Sequence, residues 1–358
     1  MSTYALLAEL PLRVESYALE GLVRDVSSGF TRKTTVIHLH GAGHEGVGED
    51  VVYDAEDHEV LQGAGAILDL AGETTLGDFC ARVDALDLFP VEPVRGEVSR
   101  LYRRWAFHSA ALDLALRQAD RALHEVLGRT PQPVTFVTSR RLHEDPEAGV
   151  PPTAEEIERL LARYPTLRFK LDPTPGWDEA LVAALAATGA IDSLDFKGHY
   201  KGTVVDNPAD PKLYRRIAEG FPDAWLEDPD LSAPGIDELL APHRDRITWD
   251  APIHSIADIE ALPFAPRMVN VKPSRFGGLE RLCAGYDYCA EHGIRAYGGG
   301  QFELGPGRGQ AQYLASLFHP DTPNDIAPGG YNLPDPSDGL PPSPLAPRPS
   351  TTGFRWEG

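Results

Sequence analysis

The sequence predicts an α/β protein: a modified (β/α)8 barrel of the TIM type, preceded by an α+β capping domain. Two observations favour this class. From about residue 133, short apolar segments of strand length alternate with segments of helical periodicity. Four of the apolar segments, IDSLD, AWLED, ITWD and MVNVK, carry a charged residue at or near the end, and these residues, Asp195, Glu227, Asp250 and Lys272, lie 32, 23 and 22 positions apart. Such spacing is typical of one strand plus one helix, as in a barrel of parallel strands.

The first segment, residues 1–130, lacks this alternation and is predicted to be the capping domain. Its patterns indicate strands at 10–17 and 34–39, loops at 22–32 and 41–50, and a long helix at 102–127.

The second segment, residues 131–340, is predicted to be the barrel. Its first seven strands are expected at 133–139, 167–172, 191–196, 224–228, 247–251, 268–272 and 294–300. An eighth unit near 322–327 is only weakly indicated. The third segment, residues 341–358, is rich in proline and serine and is predicted to be an extended tail, with Phe354 and Trp356 able to dock on the body.

The chain has 358 residues, 42% of them hydrophobic, and a formal net charge of −21. Such a charge argues against binding to nucleic acid or to an anionic membrane, and no apolar run approaches the length of a membrane span. The three cysteines have no metal-ligand spacing, and the first residues do not resemble a secretory signal. We therefore expect a cytoplasmic protein with reduced thiols. The sequence leaves open whether it forms a homo-oligomer.

Three of the charged residues at strand ends are acidic: Asp195, Glu227 and Asp250. The carboxyl ends of barrel strands meet at one mouth, so these carboxylates are expected to converge there. Hard oxygen ligands of this kind suit Mg²⁺, with Mn²⁺ as the alternative ion. For any single residue, an ordinary helix N-cap is an equally good interpretation. Three successive strands with the same feature favour the metal site.

Lysines accompany the predicted metal ligands. Lys272 ends the sixth strand, and Lys170 lies on the second strand, on the opposite wall of the mouth. Arg168 lies two residues before Lys170, so strand periodicity predicts that both face the same side. The alternative is an exposed salt bridge at the barrel end. A lysine beside a divalent cation is suited to accept the α-proton of a bound carboxylate.

The segment GGGQFELGPGR follows the seventh strand, and its glycines allow close approach of backbone to a ligand. Gly300, Gln301 and Glu303 are therefore candidate substrate-binding residues, although a plain tight turn fits nearly as well. Lys197, just after Asp195, is a further candidate, with a solvated loop as the alternative. The histidines of HLHGAGH are not expected to bind a metal.

These segments resemble the enolase superfamily, and within it the muconate-lactonizing-enzyme subgroup, over nearly the whole chain. The matching segments are LRFKLDPTPGWD, DFKGHY, WLEDP, TWDAPI, VNVKPSRFGGL, GGQFELGPGR and PNDIAPGGY. The resemblance implies that Asp195, Glu227 and Asp250 bind Mg²⁺ and that Lys170 and Lys272 are the catalytic lysines. It implies abstraction of an α-proton from a small carboxylate substrate through an enediolate.

The sequence also departs from the pattern of this subgroup. Arg168 replaces the first lysine of Lys-x-Lys, and its retained charge gives it an expected catalytic role. Lys197 replaces an asparagine, and Ala251 replaces a glutamate. The eighth strand lacks the Asp-x-Asp of dipeptide epimerases, which disfavours that activity.

The favoured reaction is a dehydration like that of o-succinylbenzoate synthase, by syn elimination. The alternatives are racemisation or epimerisation of an acylated amino acid or another carboxylate, a metal-binding barrel without catalysis, and an aldolase that forms a Schiff base.

Overall fold

The structure is a computed structural model and describes residues 2–26, 29–203, 205–333 and 335–357. The N-terminal part contains an antiparallel sheet packed on a long helix. Its strands are β1 (Pro11–Val14), β2 (Ser16–Asp25), β3 (Thr31–Gly41), β4 (His44–Asp50) and β5 (Gly72–Thr75). Its helices are α1 (Ala55–Ala64), α2 (Leu76–Asp84), α3 (Glu97–Gln118) and α4 (Leu123–Leu127). Strands β2, β3 and β4 form one antiparallel sheet, and β1 pairs with β5.

The predicted loop at 41–50 is wrong, because most of that segment is strand β4. Its glycines face helix α3 at very short range. A Cβ atom on Gly48 would lie 2.0 Å from the backbone oxygen of Ala106, and one on Gly46 would lie 2.3 Å from that of Ala110. The glycines therefore let the sheet approach the helix closely. Glycine is commonly interpreted as a loop former, so the sequence pattern did not indicate this role.

The predicted loop at 22–32 is also too long. Strands β2 and β3 pair continuously until Asp25 lies opposite Thr31, which leaves a short connection. Residues 27 and 28 of that connection lie outside the described residues. The predicted helix at 102–127 starts earlier, as α3, and is interrupted before α4, where Asp120 has a φ of 53°.

The second part is the predicted barrel. Its strands are β6 (Thr138–Arg140), β7 (Phe169–Leu171), β8 (Ile191–Asp195), β9 (Trp225–Glu227), β10 (Ile247–Thr248), β11 (Met268–Asn270) and β12 (Arg295–Tyr297). Its helices are α5 (Glu155–Arg163), α6 (Glu179–Ala187), α7 (Pro211–Gly220), α8 (Ile236–Leu240), α9 (Ile256–Glu260), α10 (Pro273–Phe276), α11 (Leu279–Glu291) and α12 (Pro306–Phe318). Short 3-10 helices occupy Tyr4–Leu6, Ala241–Arg246 and Gly329–Asn332.

The barrel strands are parallel and follow the chain order. Strands β6 to β10 form one sheet, β11 pairs with β12, and a bridge between Trp249 and Val269 joins the two groups. The weakly indicated eighth unit closes the ring: Asp325 bridges to Gly299 after β12, and Asn324 bridges to Phe136 before β6. The predicted fold class, a barrel with an N-terminal cap, is confirmed.

The C-terminal tail lies against both parts of the molecule. Phe354 is fully buried and packs edge-on against Trp105 of α3, and Trp356 packs near Tyr313 of α12. Both aromatic residues singled out in the sequence therefore dock on the body. Among the residues the structure describes, none of the helices has the length and apolar character needed to cross a bilayer.

Candidate active site

Adjacent strand ends bring two of the predicted ligands together. Asp195 ends β8, Glu227 ends β9, and the two residues are direct partners in the strand pairing. Both are fully buried. One carboxylate oxygen from each of Asp195, Glu227 and Asp228 lies within 4.8 Å of the others. This is the spacing of ligands around a single ion, and its third residue is Asp228, whereas the predicted third residue was Asp250.

Lys170, on β7, reaches into this acidic centre. Its ammonium group lies 3.0 Å from Oδ2 of Asp195 and forms a close ion pair with Oε1 of Glu227. Asp325 contributes a third carboxylate oxygen at 3.7 Å. Burial opposes the charge of Lys170, but Asp195 and Glu227 outweigh burial and raise its pKa well above the ordinary value. In this structure the ammonium group occupies the position of a cation among the carboxylates.

Lys272 and the third predicted ligand, Asp250, form a second group on the neighbouring strands. The ammonium group of Lys272 lies 2.8 Å from Oδ2 of Asp250. Arg275 places its Nη1 2.9 Å from Oδ1 of the same carboxylate, and its Nη2 donates to the hydroxyl of Tyr200 at 3.0 Å. Burial, followed by repulsion from Arg275, lowers the pKa of Lys272. The two lysines therefore differ in electrostatic environment.

Asp228 was not among the candidates, although WLEDP carries two acidic residues in succession. Its carboxylate accepts the backbone N–H groups of Asp250 at 2.9 Å and Ala251 at 2.8 Å. It therefore holds the end of β10 against the end of β9. Burial raises the pKa of Asp228 to about 6.

The donor set of the acidic centre fits a divalent cation. Oε2 of Glu227 is buried and has no hydrogen-bond partner among the described residues. Burial raises the pKa of Glu227 well above its ordinary value, and Asp195 adds to the effect. A buried anionic oxygen without a donor is costly, and a bound cation would remove that cost. Hard carboxylate oxygens of this kind are the ligands that Mg²⁺ prefers.

Lys197 follows β8 and also contacts Asp195. Its backbone N–H donates to Oδ1 at 3.0 Å, and its ammonium group forms a close ion pair with Oδ2. The same ammonium group lies 3.5 Å from Oδ1 of Asp172, at the end of the neighbouring strand. The candidate lysine after the first ligand is therefore part of the charged cluster.

Arg168 does not join the cluster, and the prediction that it faces the same side as Lys170 is wrong. Its guanidinium binds the carboxylate of Asp192, with Nε–Oδ1 at 3.1 Å, and donates to the backbone oxygen of Gly189 at 2.6 Å. Gly189 precedes β8, so this contact lies at the opposite end of the strands from Asp195. The contacts of Arg168 are those of the alternative, a salt bridge at the barrel end, whereas Lys170 lies in the cluster.

Strand β7 begins at Phe169, and its pairing with β8 is irregular at that end. Phe169 pairs with Ile191, but Lys170 pairs with Ser193, so Asp192 is an extra residue opposite that step. The extra residue is on β8, whereas Arg168 precedes the first residue of β7, so the alternation of β7 does not extend to it.

The candidate residues of the loop after β12 contact protein groups. The side chain of Gln301 is buried, accepts from the Tyr53 hydroxyl at 2.7 Å and donates to that of Tyr102 at 3.0 Å. Glu303 pairs with Arg308 at 2.9 Å, and a Cβ on Gly300 would meet the guanidinium of Arg308. This loop therefore links the barrel to the cap, and a direct substrate contact of Gly300, Gln301 or Glu303 stays a prediction.

Gly299 is the loop residue that touches the cluster. A Cβ atom on it would lie 2.1 Å from Cε of Lys272 and 2.6 Å from Nδ2 of Asn270. Asn270 and Tyr297 are buried on β11 and β12, and the amide atoms of one and the hydroxyl of the other lack partners among the described residues. Alternation along MVNVK could have indicated Asn270, because it lies two residues before Lys272.

Family models and proteins of known activity match this chain. The family model described as "Domain of unknown function (DUF8230) C-terminal domain" matches residues 130–333, and the corresponding N-terminal domain matches residues 5–126. The chain is 29% identical over 238 residues to an N-succinylamino acid racemase of Amycolatopsis sp., and 27% identical over 229 residues to an o-succinylbenzoate synthase of Geobacillus kaustophilus. These matches cover 64% and 62% of this chain, and 60% and 58% of the relatives.

A solved structure shows the same fold. The dipeptide epimerase from Methylococcus capsulatus, in complex with Mg ion, superposes with a TM-score of 0.69 at 17% identity, covering 97% of this chain and 100% of the epimerase chain. With both family models matched, the chain belongs to the DUF8230 family; it is similar in sequence to o-succinylbenzoate synthases and N-succinylamino acid racemases, and in fold to solved members of the enolase superfamily.

Proposed function

We propose that this protein is a Mg²⁺-dependent lyase or isomerase that removes the α-proton of a small carboxylate substrate. One observation carries the proposal: Lys170 and Lys272 both place their ammonium groups on carboxylates at one barrel mouth, Asp195 and Glu227 in the first case and Asp250 in the second. A proton acceptor and a cation-binding centre must lie side by side for this chemistry.

Asp195 and Glu227 would hold the cation, with Asp228 or Asp250 as the third ligand. Oxygens of Asp195, Glu227 and Asp228 already lie within 4.8 Å of one another. The two oxygens of Asp250 are engaged by Lys272 and Arg275, so that residue would have to share them. When bound, the cation supplies charge neutralisation for the substrate carboxylate, which makes the α-proton more acidic.

The two lysines have different roles in the proposed reaction. One of them, as the free amine, accepts the α-proton at its Nζ atom. The other remains an ammonium ion and stabilises the negative charge that develops on the substrate. Lys170 and Lys272 belong to β7 and to the end of β11, four strands apart in the ring, so they approach a central substrate from opposite sides.

The preferred reaction is a dehydration like that of o-succinylbenzoate synthase. One lysine takes the α-proton and returns it to the departing hydroxyl on the same face. The electron pair of the former C–H bond forms the new double bond, and water leaves. The different environments of the two lysines support a single acting base, since burial and Arg275 lower the pKa of Lys272 alone.

Racemisation of an N-succinylamino acid is the second candidate. The placement of Lys170 and Lys272 on opposite walls favours it, because one lysine could remove the proton and the other return one to the opposite face. A metal-binding barrel without catalysis is the third candidate. Ala251 in place of a glutamate and the outward position of Arg168 motivate it.

Isotope exchange separates these candidates. The protein, loaded with Mg²⁺ in D₂O, would be offered the substrate of o-succinylbenzoate synthase and a set of N-succinylamino acids. The expected result is dehydrated product without deuterium in the recovered substrate. An N-succinylamino acid recovered as a racemate with deuterium at the α-carbon would instead establish the second candidate.

Single-lysine variants test the catalytic assignment. Lys170→Ala and Lys272→Ala should each lower turnover by about 10²-fold or more, as expected for loss of a positioned acid–base group. Lys201→Ala is the matched control, because Lys201 is largely exposed and its ammonium group contacts Asp230 and Ser232, outside the cluster. Mg²⁺ binding by the parent without turnover of any tested carboxylate would favour the non-catalytic candidate.

A further inference from the structure

Two features distinguish Lys197 from an ordinary loop lysine: its backbone conformation and the burial of its side chain. Its backbone has a φ of 55°, a left-handed conformation that is unfavourable for lysine. Its side chain is 15% exposed, whereas that of Lys201, four residues later, is 63% exposed. Residues held in such a conformation cost free energy, so the surrounding contacts must maintain it.

Those contacts involve both oxygens of one predicted metal ligand. The backbone N–H of Lys197 donates to Oδ1 of Asp195 at 3.0 Å, and its ammonium group pairs closely with Oδ2. Asp195 thus has no oxygen free of Lys197. Any cation that binds Asp195 has to share an oxygen with this residue or displace its ammonium group.

The same ammonium group bridges to a second strand end. Asp172 lies just after β7, and its Oδ1 accepts no hydrogen bond among the described residues. The ammonium group of Lys197, at 3.5 Å, is the cation the structure places beside it. Lys197 therefore offsets the repulsion between two acidic side chains, Asp172 and Asp195, at neighbouring strand ends.

We propose that Lys197 is a built-in counter-cation of the metal site: it orients Asp195 in the metal-free protein and competes with the divalent cation for that carboxylate. It also supplies, from the loop after β8, a positive charge at the mouth that Arg168 does not supply. The inference rests on the metal site of the proposed function, but not on the identity of the reaction.

The physical basis is Coulombic. A unit positive charge beside a divalent cation repels it, and this repulsion is only partly screened at a largely buried site. Removing the charge of Lys197 removes that repulsion and frees Oδ2 of Asp195 from one of its two ammonium partners. Both changes act in the same direction and strengthen binding of the cation.

The test measures Mg²⁺ binding directly, by calorimetric titration of the full chain after treatment with a chelator. We compare the parent with Lys197→Met, Lys197→Arg and Lys201→Met. Lys197→Met should bind Mg²⁺ at least tenfold more tightly than the parent, a difference of about 1.4 kcal/mol. Lys197→Arg keeps the charge, and Lys201→Met makes the same charge change at the surface, so both should stay within about threefold of the parent.

Thermal unfolding gives a second measurement. The metal-free Lys197→Met variant should unfold at a lower temperature than the parent, because Asp172 and Asp195 lose their shared cation, and saturating Mg²⁺ should raise its midpoint by more than it raises that of the parent. If the metal-free variant does not fold, Lys197→Gln, which keeps a donor without the charge, replaces it in both measurements.

The outcomes are distinguishable. Equal or weaker Mg²⁺ binding by the neutral Lys197 variants, with Lys201→Met unchanged, overturns the counter-cation role and leaves the proposed function standing. Absence of Mg²⁺ binding by the parent and by every variant overturns the metal site, and the proposed function with it.

Discussion

Gly299→Ala is the change that most directly tests the link between the loop after β12 and Lys272, one of the two proposed catalytic lysines. The alanine Cβ would lie 2.1 Å from Cε of Lys272 and 2.6 Å from Nδ2 of Asn270. The backbone itself does not forbid the change, because Gly299 is not among the residues with positive φ. The effect is therefore confined to what the new methyl group displaces.

The displacement can be bounded from contact distances. Ordinary van der Waals contact begins at 3.4 Å, so Lys272 or the loop has to shift by about 1 Å to accommodate the methyl group. Such a shift moves the ammonium group away from its contact with Asp250, now at 2.8 Å. A misplacement of about 1 Å in a reacting group lowers turnover by about 10²-fold. Overpacking should cost only about 1–3 kcal/mol of folding free energy.

Two assays separate these effects: deuterium exchange or product formation with an accepted carboxylate, and urea unfolding. Gly63→Ala in α1 is the control, since a Cβ there meets no atom within 4 Å. The control should keep parent activity and parent or slightly greater stability. If Gly299→Ala turns over substrate at the parent rate while remaining folded, then Lys272 is not held in place by this loop, and the reasoning fails.

Three further predictions concern stability. Glu49 of the cap is buried, and its carboxylate accepts backbone N–H groups at the start of α12, including that of Gly307 at 2.9 Å. Glu49→Gln should therefore lower the unfolding free energy by about 2–3 kcal/mol in urea titrations. An unchanged unfolding midpoint would contradict this. Burial lowers the pKa of His319 to about 4. The unfolding free energy should therefore fall by about 3 kcal/mol in total as pH falls from about 6.5 towards 4. His319→Gln should reduce this dependence of the unfolding free energy on pH, measured in unfolding curves across that range. Phe354 of the tail is fully buried, so Phe354→Ala should cost about 3–5 kcal/mol, whereas Thr351→Ala, at an exposed position nearby, should leave the unfolding midpoint unchanged.

The barrel was predictable because its strands are buried and its helices are amphipathic. The seven predicted strands fall on β6 to β12, with the structural strands shorter at one or both ends. The eighth unit was weak because it has no strand of its own. Asn324 and Asp325 close the ring through isolated bridges, which need no run of β-branched residues.

The cap was harder to predict because its regular elements depend on contacts between distant segments. Strand β4 contains glycines whose role is visible only when α3 is placed against them: Gly46 and Gly48 face Ala110 and Ala106 at distances that exclude a Cβ. Local propensity assigns such a segment to a loop. The tertiary contact with α3 overrides that propensity, and the sequence pattern within the segment does not indicate this contact.

In the site, the chain order of the barrel predicted which charges meet but not how they pair. Asp195, Glu227, Asp250, Lys170 and Lys272 all lie at one mouth because the carboxyl ends of parallel strands converge. Pairing depends on side-chain reach and on local register, which strand spacing does not specify. The third carboxylate oxygen close to those of Asp195 and Glu227 accordingly comes from Asp228, and the second cationic partner of Asp250 is Arg275.

Arg168 and Lys197 show that strand periodicity does not predict which basic residues lie at the barrel mouth. Arg168 pairs with Asp192 and with the backbone oxygen of Gly189 near the start of β8, so its positive charge lies away from the mouth. Lys197 enters the mouth from a loop, in a left-handed conformation that no periodicity argument would assign to a lysine. Because the acidic residues of the cluster are buried, their charges are costly without cations nearby, and Lys197 is one of those cations. The position of a compensating charge therefore follows from the burial of its partners and not from its own place in the strand pattern.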